Sequence, residues 1–213
     1  MFTILATPMI EAIHFLHQFT NNYALSVIVI TIIIRLLLLP LFMKASNTQS
    51  QSKLMMDEVK PKMDELSEKL KAIKDDQQKL AIQLEMQQLS LAPMKSMLLG
   101  CFPIIIQFPV LIAIFYAIKY DAAIASESFL WMNLGTTSIT MACIAAFVYL
   151  LQSLFAMKKE QQRTVKLMAF INPIVIFIFS MINPSIMAIY WATSAVMLIG
   201  QQQFIAYYNR SNK

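Results

Sequence analysis

Tyr23-Ala-Leu-Ser-Val-Ile-Val-Ile-Thr-Ile-Ile-Ile-Arg35-Leu-Leu-Leu-Leu-Pro40-Leu-Phe42 is an apolar run of 20 residues interrupted by a single charge. As a helix it measures about 30 Å, the thickness of a bilayer's hydrocarbon core. An arginine inside such a helix costs about 2.5–3.5 kcal/mol on the insertion scale. A membrane protein keeps that residue only where its charge is paired or wetted. The accommodation of Arg35 is therefore the first question for the whole chain.

The composition sets the class. Of 213 residues, 58% are hydrophobic and only 14% charged, with a mean hydropathy of +0.59. A soluble domain carries about 25% charged residues, so the chain reads as a polytopic membrane protein. Four further segments besides 23–42 are long and apolar enough to span, at about 98–118, 138–156, 167–183 and 186–206. Asn183-Pro184 marks a tight break between the last two. Residues 1–22 precede the first span. There Glu11-Ala-Ile-His14-Phe-Leu-His17-Gln-Phe19 places Ile10, Ile13, His14 and His17 at helical spacing, as in a helix lying on the membrane surface. Residues 1–20 show neither a basic n-region nor a small-residue cleavage motif, so no cleavable signal is expected within them.

Lysine and arginine set the orientation. Residues 44–95 hold nine Lys, the connection 157–166 holds Lys158, Lys159, Arg163 and Lys166, and residues 207–213 hold Arg210 and Lys213. The other side has Lys119 alone, in the loop 119–137. The bias places 44–95 and the C-terminus in the cytoplasm and the N-terminus outside. The net charge of +5 thus encodes topology in the first place; contact of the nine Lys with ribosomal RNA or anionic lipid is the lesser reading. Cys101 and Cys143 are too few for a disulfide framework and fall at different depths, so two separate thiols are expected.

Residues 43–97 contain no Gly. Met63, Leu66, Leu70 and Ile73 follow a 3-4-3 spacing, and Ile82, Met86 and Leu89 a 4-3 spacing beyond Lys74-Asp75-Asp76-Gln77. These predict two antiparallel helices, about 61–74 and 77–91, in a charged hairpin, with Pro61 in a first turn and Pro93 at a bend. The hairpin's candidate contact residues are Met63, Leu66, Leu70, Asp75, Asp76 and Met86. Seven of the 16 Met lie between Met43 and Met97. They either fill the hairpin interior or give it an adaptable apolar surface for guests.

The intramembrane polar residues gather on one side. Arg35 lies about 10 Å from the inner end of its span. Gln107, Gln152, Asn172 and Gln201 all lie near or below the midplane toward the cytoplasm. No Asp or Glu occurs in the five spans. A wet cavity lined by Arg35 and these amides, open to the cytoplasm and closed outward by apolar residues, solves the problem. Each amide singly also fits a hydrogen bond between helices, and Arg35 fits snorkelling along its own stem, although 10 Å exceeds one side chain's reach. An ion-coupled transporter would be expected to carry intramembrane carboxylates or His and Gly-broken helices; the chain has only Gly100, Gly135 and Gly200. His14 and His17 stand at i, i+3 like metal ligands, but nothing completes a site, so they read as surface residues; no metal and no cofactor are expected. Trp131 and Tyr120 fit an outer aromatic belt.

Five strings in order name a family. They are Ile-Ile-Ile-Arg35-Leu-Leu-Leu-Leu-Pro40-Leu; Lys74-Asp75-Asp76-Gln77-Gln78-Lys79-Leu80; Gly100-Cys101-Phe-Pro103-Ile-Ile-Ile-Gln107-Phe-Pro109-Val-Leu-Ile-Ala; Phe129-Leu-Trp131-Met-Asn-Leu134-Gly135; and Asn172-Pro173 with Tyr190-Trp191-Ala-Thr-Ser194 and Gln201-Gln202-Gln203. Over residues 23–206 the chain resembles the YidC/Oxa/Alb membrane protein insertases, in the Gram-positive bacterial form. Ala92-Pro93 stands where Asn-Pro is more usual in the family.

The resemblance implies an all-α fold of five transmembrane helices around a hydrophilic groove open to the cytoplasm and to lipid, with a mobile cytoplasmic helical hairpin. Arg35, Gln107 and Trp191 fall at positions that line the groove in the family, and Tyr190 adjoins them. The implied function is insertion and folding of newly made membrane proteins, with no bond made or broken. Expected partners are nascent single- or double-span proteins with acidic N-terminal tails and the lipid bilayer, with the ribosome, the signal recognition pathway and the Sec translocon as further candidates. A monomer is expected to suffice, in the bacterial plasma membrane. The rival readings are a structural assembly or chaperone subunit of a larger translocase, and a small-solute transporter.

Overall fold

The computed structural model describes residues 3–73, 75–100, 102–157 and 163–211, almost all of them helical. Lys74, Cys101, Lys158, Lys159 and Lys213, each named above, lie outside the described residues. Two compact units are present, one of Met1–Leu39 with Phe108–Lys213, the other of Pro40–Gln107.

The first unit begins with α1 (Thr3–Thr20) and α2 (Tyr23–Leu37), bent by 115° at their junction. Two asparagines make that bend. Asn21 takes a left-handed conformation at φ 50, which Asn tolerates better than most residues. Asn22 caps α2, its side-chain oxygen accepting from the Leu25 N–H at 3.1 Å. Helix α2 ends well before Phe42. At 15 residues it is about 22 Å long, and a turn at Leu38 separates it from α3 (Leu39–Ala72). The expected single helix over 23–42 is thus corrected to a helix, a break and a new helix. The cause is Pro40, which lacks an N–H for the carbonyl four residues back and crowds the preceding turn.

The remaining elements of this unit are the later part of α5 (Phe102–Tyr120), α6 (Ala122–Ser126), the strands β1 (Ser128–Phe129) and β2 (Met132–Asn133), α7 (Ile139–Met157), α8 (Arg163–Ile182) and α9 (Ser185–Ser211). The strands pair antiparallel with Ser128 opposite Asn133 and Phe129 opposite Met132. One core joins Ile13 of α1, Tyr23, Ala24 and Val27 of α2, Ile114 and Ala117 of α5, Leu134, Met141 and Ala145 of α7, and the first two turns of α9. Residues Ile186–Ala192 of α9 are all buried, so this helix starts as the centre of the unit. Its leading N–H groups, which no helix can satisfy internally, are taken by the loop: Ser185 donates to the Thr136 carbonyl at 2.7 Å and Ile186 to the Leu134 carbonyl at 3.3 Å.

By length and composition one described helix, Ile139–Met157, is long and apolar enough to cross a membrane; the α1–α2 pair reaches that standard only if taken as one bent span. Gln107–Tyr120 and Phe170–Ile182 are shorter apolar helices.

The second unit holds most of α3, then α4 (Asp76–Gly100) and the start of α5. Helix α3 runs for 34 residues straight through Pro61, so Pro61 does not open a helix at 61 as the sequence suggested. Asp75 opens α4, its carboxylate accepting from the Gln77 N–H at 3.2 Å, as an N-cap does. Leu66 is buried, and Met63, Leu70, Ile73, Ile82, Met86 and Leu89 are all half-buried in a stretch whose other described residues are mostly exposed. The spacing that marked them is therefore the inward face of each helix. Asp75 and Asp76 are exposed.

Gly135 carries a steric demand. A Cβ there would stand 2.4 Å from the Ala125 carbonyl oxygen of α6, a backbone atom that cannot step aside. Gly135→Ala should destabilise the first unit by about 1–3 kcal/mol, the usual cost of overpacking. Thermal unfolding in detergent measures it, with the exposed mid-helix Gly200→Ala, which meets nothing within 4 Å, equal to or above wild type as the control.

Candidate functional site

Arg35 ends up in the last turn of α2, 6% exposed. That placement supplies part of what the charge needs. The negative end of the helix dipole and the last free carbonyls lie at its side, worth up to about 2 kcal/mol in a partly buried setting. Neutral polar groups supply more. Tyr190 of α9 and Tyr149 of α7, both buried, lie within electrostatic reach of the guanidinium. Gln152, one turn beyond Tyr149 on the same buried face, is 9% exposed, and Ser153 beside it 3%.

Gln201 closes the set from α9. Its Nε2 donates to the backbone carbonyl of Arg35 itself at 2.9 Å, across a sequence separation of 166 residues. Three helices of one unit, α2, α7 and α9, thus bring an arginine, amides and phenols together inside an apolar body.

The candidate residues divide accordingly. Arg35, Gln152, Tyr190 and Gln201 are all buried in the first unit. Trp191 is buried too, but its ring meets Phe179 of α8 edge-on, centroids 6.2 Å apart, so it packs between helices. Asn172 on α8 is exposed, unlike that buried set. Gln107 is half-buried and belongs to the second unit. Sequence reasoning missed Tyr149, because a tyrosine inside an apolar run reads as one more hydrophobic residue. Its spacing held the signal: Met141, Ala145, Tyr149 and Gln152 step 4-4-3 along α7 and form one buried stripe.

It also misjudged the histidines. His14 and His17 are tied into a second polar cluster, outside the apolar core. His14 Nε2 meets Asp121 Oδ2 at 2.5 Å and its Nδ1 lies 3.1 Å from the Tyr23 hydroxyl. His17 stacks on the Tyr23 ring at 4.0 Å, with Nε2 3.7 Å from Glu127. Glu127 in turn accepts from the Tyr23 N–H at 3.1 and 3.2 Å. Both ring nitrogens of His14 are thus engaged, one by the Asp121 carboxylate and the other by the Tyr23 hydroxyl. Among the described residues no group of three or more His, Cys, Asp or Glu is placed to hold a metal ion, and Cys143 is an exposed free thiol.

A buried cation among amides, on helices that present apolar faces outward, is an architecture for handling polar groups inside a membrane. The sequence pattern described for the 60Kd inner membrane protein family matches residues 15–212. The chain belongs to that family. The membrane protein insertase YidC 2 of Listeria monocytogenes is 36% identical over 204 residues, which span 93% of this chain and 74% of the relative. The membrane protein insertase MisCB of Bacillus subtilis is 36% identical over 198 residues, 86% of this chain and 71% of the relative. The membrane protein insertase YidC of Staphylococcus carnosus is 34% identical over 207 residues, 92% and 71% of the two chains. As a 60Kd inner membrane protein family member the chain is a bacterial membrane protein of the insertase kind, and the Gram-positive resemblance read from its motifs holds.

In this family member the outer cluster gives a pH dependence. Burial pushes the Asp121 carboxyl up, but the His14 hydrogen bond and the Ile124 and Ala123 N–H groups outweigh it and hold the acid below its ordinary 3.8. A depressed carboxylate stabilises the fold above its unfolded pKa and loses that contribution as pH falls through the native value. Asp121→Asn should therefore lower the melting temperature at about pH 7, and the gap to wild type should narrow at about pH 3. A gap that stays constant over this range would remove the carboxylate from the account.

Proposed function

We propose that the protein inserts newly made membrane proteins by receiving a polar end of the guest at Arg35. The single observation that carries this reading is the burial of Arg35 with Tyr149, Tyr190, Gln152 and Gln201 inside one unit of an insertase-family chain. On this reading five helical segments cross the bilayer, residues 44–95 and the C-terminus are cytoplasmic, and the N-terminus is outside. The nine Lys of 44–95 support that orientation.

The obstacle to insertion is carrying the guest's leading hydrophilic segment through hydrocarbon. A charged or hydrogen-bonding group loses its hydration there at a cost of several kcal/mol. The seam replaces part of that hydration with fixed dipoles and one positive charge, so the guest end crosses only the remaining outer layer. Opposite charges about 4 Å apart interact by about 4 kcal/mol at an effective dielectric of 20, enough to favour acidic tails over neutral ones. The guest's apolar helix then leaves sideways into lipid. The exposed, partly apolar hairpin of the second unit, with Met63, Leu66, Leu70 and Met86 on its inward face, meets the guest first. The protein works as a monomer, with ribosome, signal recognition pathway or Sec translocon delivering some guests.

The test is reconstitution in liposomes with a single-span guest carrying an acidic N-terminal tail. Wild type inserts it, Arg35→Lys keeps most of the activity, and Arg35→Ala loses about tenfold or more, the scale of one charge-assisted contact. Equal insertion by Arg35→Ala would end the role given to Arg35. Insertion no better than empty liposomes for wild type would point to an assembly subunit dependent on a larger translocase.

A further inference from the structure

The bond between Gln201 and the Arg35 carbonyl is unusual for a groove amide, because it goes to backbone. Helix α2 stops at Leu37, and its last ladder bond runs from the Leu38 N–H to the Ile34 carbonyl at 3.0 Å. The next carbonyl in line is that of Arg35, one of the terminal acceptors a helix cannot satisfy itself. Pro40, two residues beyond the turn, brings no N–H to this end. Gln201, reaching over from α9, is the donor that the Arg35 carbonyl receives.

The other end of the same amide is informative. Gln201 is 6% exposed, and its Oε1 is buried with no hydrogen-bond partner. Leaving a buried acceptor unsatisfied is unfavourable, and an apolar side chain of the same length would avoid that cost. Fold stability alone is a poor reason to keep a glutamine here.

We propose that Gln201 is a positioning residue for Arg35: by holding the Arg35 carbonyl across the break at Leu38, it fixes the end of α2 to α9 and so sets where the arginine's charge stands. This rests on the role given to Arg35 above. It reassigns Gln201 from a residue that touches the guest to one that acts through another. The break makes the brace necessary. In an unbroken helix the next turn would hold Arg35 in place; here the chain leaves in a new helix three residues later, and the tie to α9 substitutes for that turn.

Gln201→Met keeps length and helix preference and removes the donor. The substitution removes one unsatisfied acceptor, Gln201 Oε1, and leaves another, the Arg35 carbonyl, so the expected result is a melting temperature close to wild type, with insertion of the acidic-tailed guest reduced about fivefold, the scale of one lost hydrogen bond. In an Arg35→Ala background the same substitution should cost nothing further, because residues acting as one unit are non-additive. A merely structural role would lower the melting temperature and reduce insertion of acidic and neutral tails alike, in both backgrounds. Wild-type insertion by Gln201→Met with Arg35→Ala impaired overturns the positioning role alone; unimpaired Arg35→Ala overturns the underlying reading and this one together. An independent readout uses Arg35→Cys with Cys101 and Cys143 changed to Ser. Adding Gln201→Met should raise the labelling rate of the thiol at 35 by a water-soluble maleimide, and an unchanged rate counts against the brace.

Discussion

A single positive charge in an apolar body governs the inner half of the first unit. Arg35 cannot be left in hydrocarbon, and no acid within the expected spans can neutralise it. What remains is to surround it with dipoles. Two sources lie at hand: the C-terminal end of α2 and the phenols of Tyr149 and Tyr190. Each is weak singly, and three helices, α2, α7 and α9, deliver them. The requirement therefore reaches far beyond one residue. It fits the polar residues Tyr149 and Gln152 on the buried stripe of α7 and the buried Tyr190 of α9, while the end of α2 is set by Pro40.

The lining of the seam also decides its chemistry. A buried carboxylate partner would cancel the charge of Arg35, whereas neutral dipoles stabilise it without cancelling it, so its field persists. Two acids of this unit, Asp121 and Glu127, are engaged elsewhere, in the cluster with His14, Tyr23 and His17.

Much of the seam was legible because arginine and glutamine contrast sharply with apolar neighbours, so Arg35, Gln152 and Gln201 could be picked out from the sequence. Tyr149 offers no such contrast, and only its step along α7 placed it. The break at Leu38 was hidden by hydropathy, which stays high through Phe42 while Pro40 quietly ends the hydrogen-bond ladder. Pro61 was misleading in the other direction: α3 absorbs it without interruption, since a long helix flanked by good helix formers can lose one bond and continue. His14 and Asp121 lie 107 residues apart, and no local pattern links them. The close approach of Gly135 to Ala125 was equally invisible, although the glycine itself was noticed in its motif. Local contrast is readable from sequence; tertiary pairings are not.

The two polar clusters divide the labour of the first unit. The outer one ties α1, α2 and the loop after α5 with charge-assisted and capping bonds, and the loop in turn supplies the carbonyls that start α9. There both nitrogens of His14, the Tyr23 hydroxyl and N–H and the Asp121 and Glu127 carboxylates all find partners. The inner one leaves atoms unsatisfied, with Gln201 Oε1 buried and without a partner. A chain optimised only for stability would satisfy or delete such atoms. The hydrogen-bonded cluster of His14, Tyr23, Asp121 and Glu127 thus anchors the first unit, while the seam around Arg35 keeps a buried polar atom that packing alone would not retain.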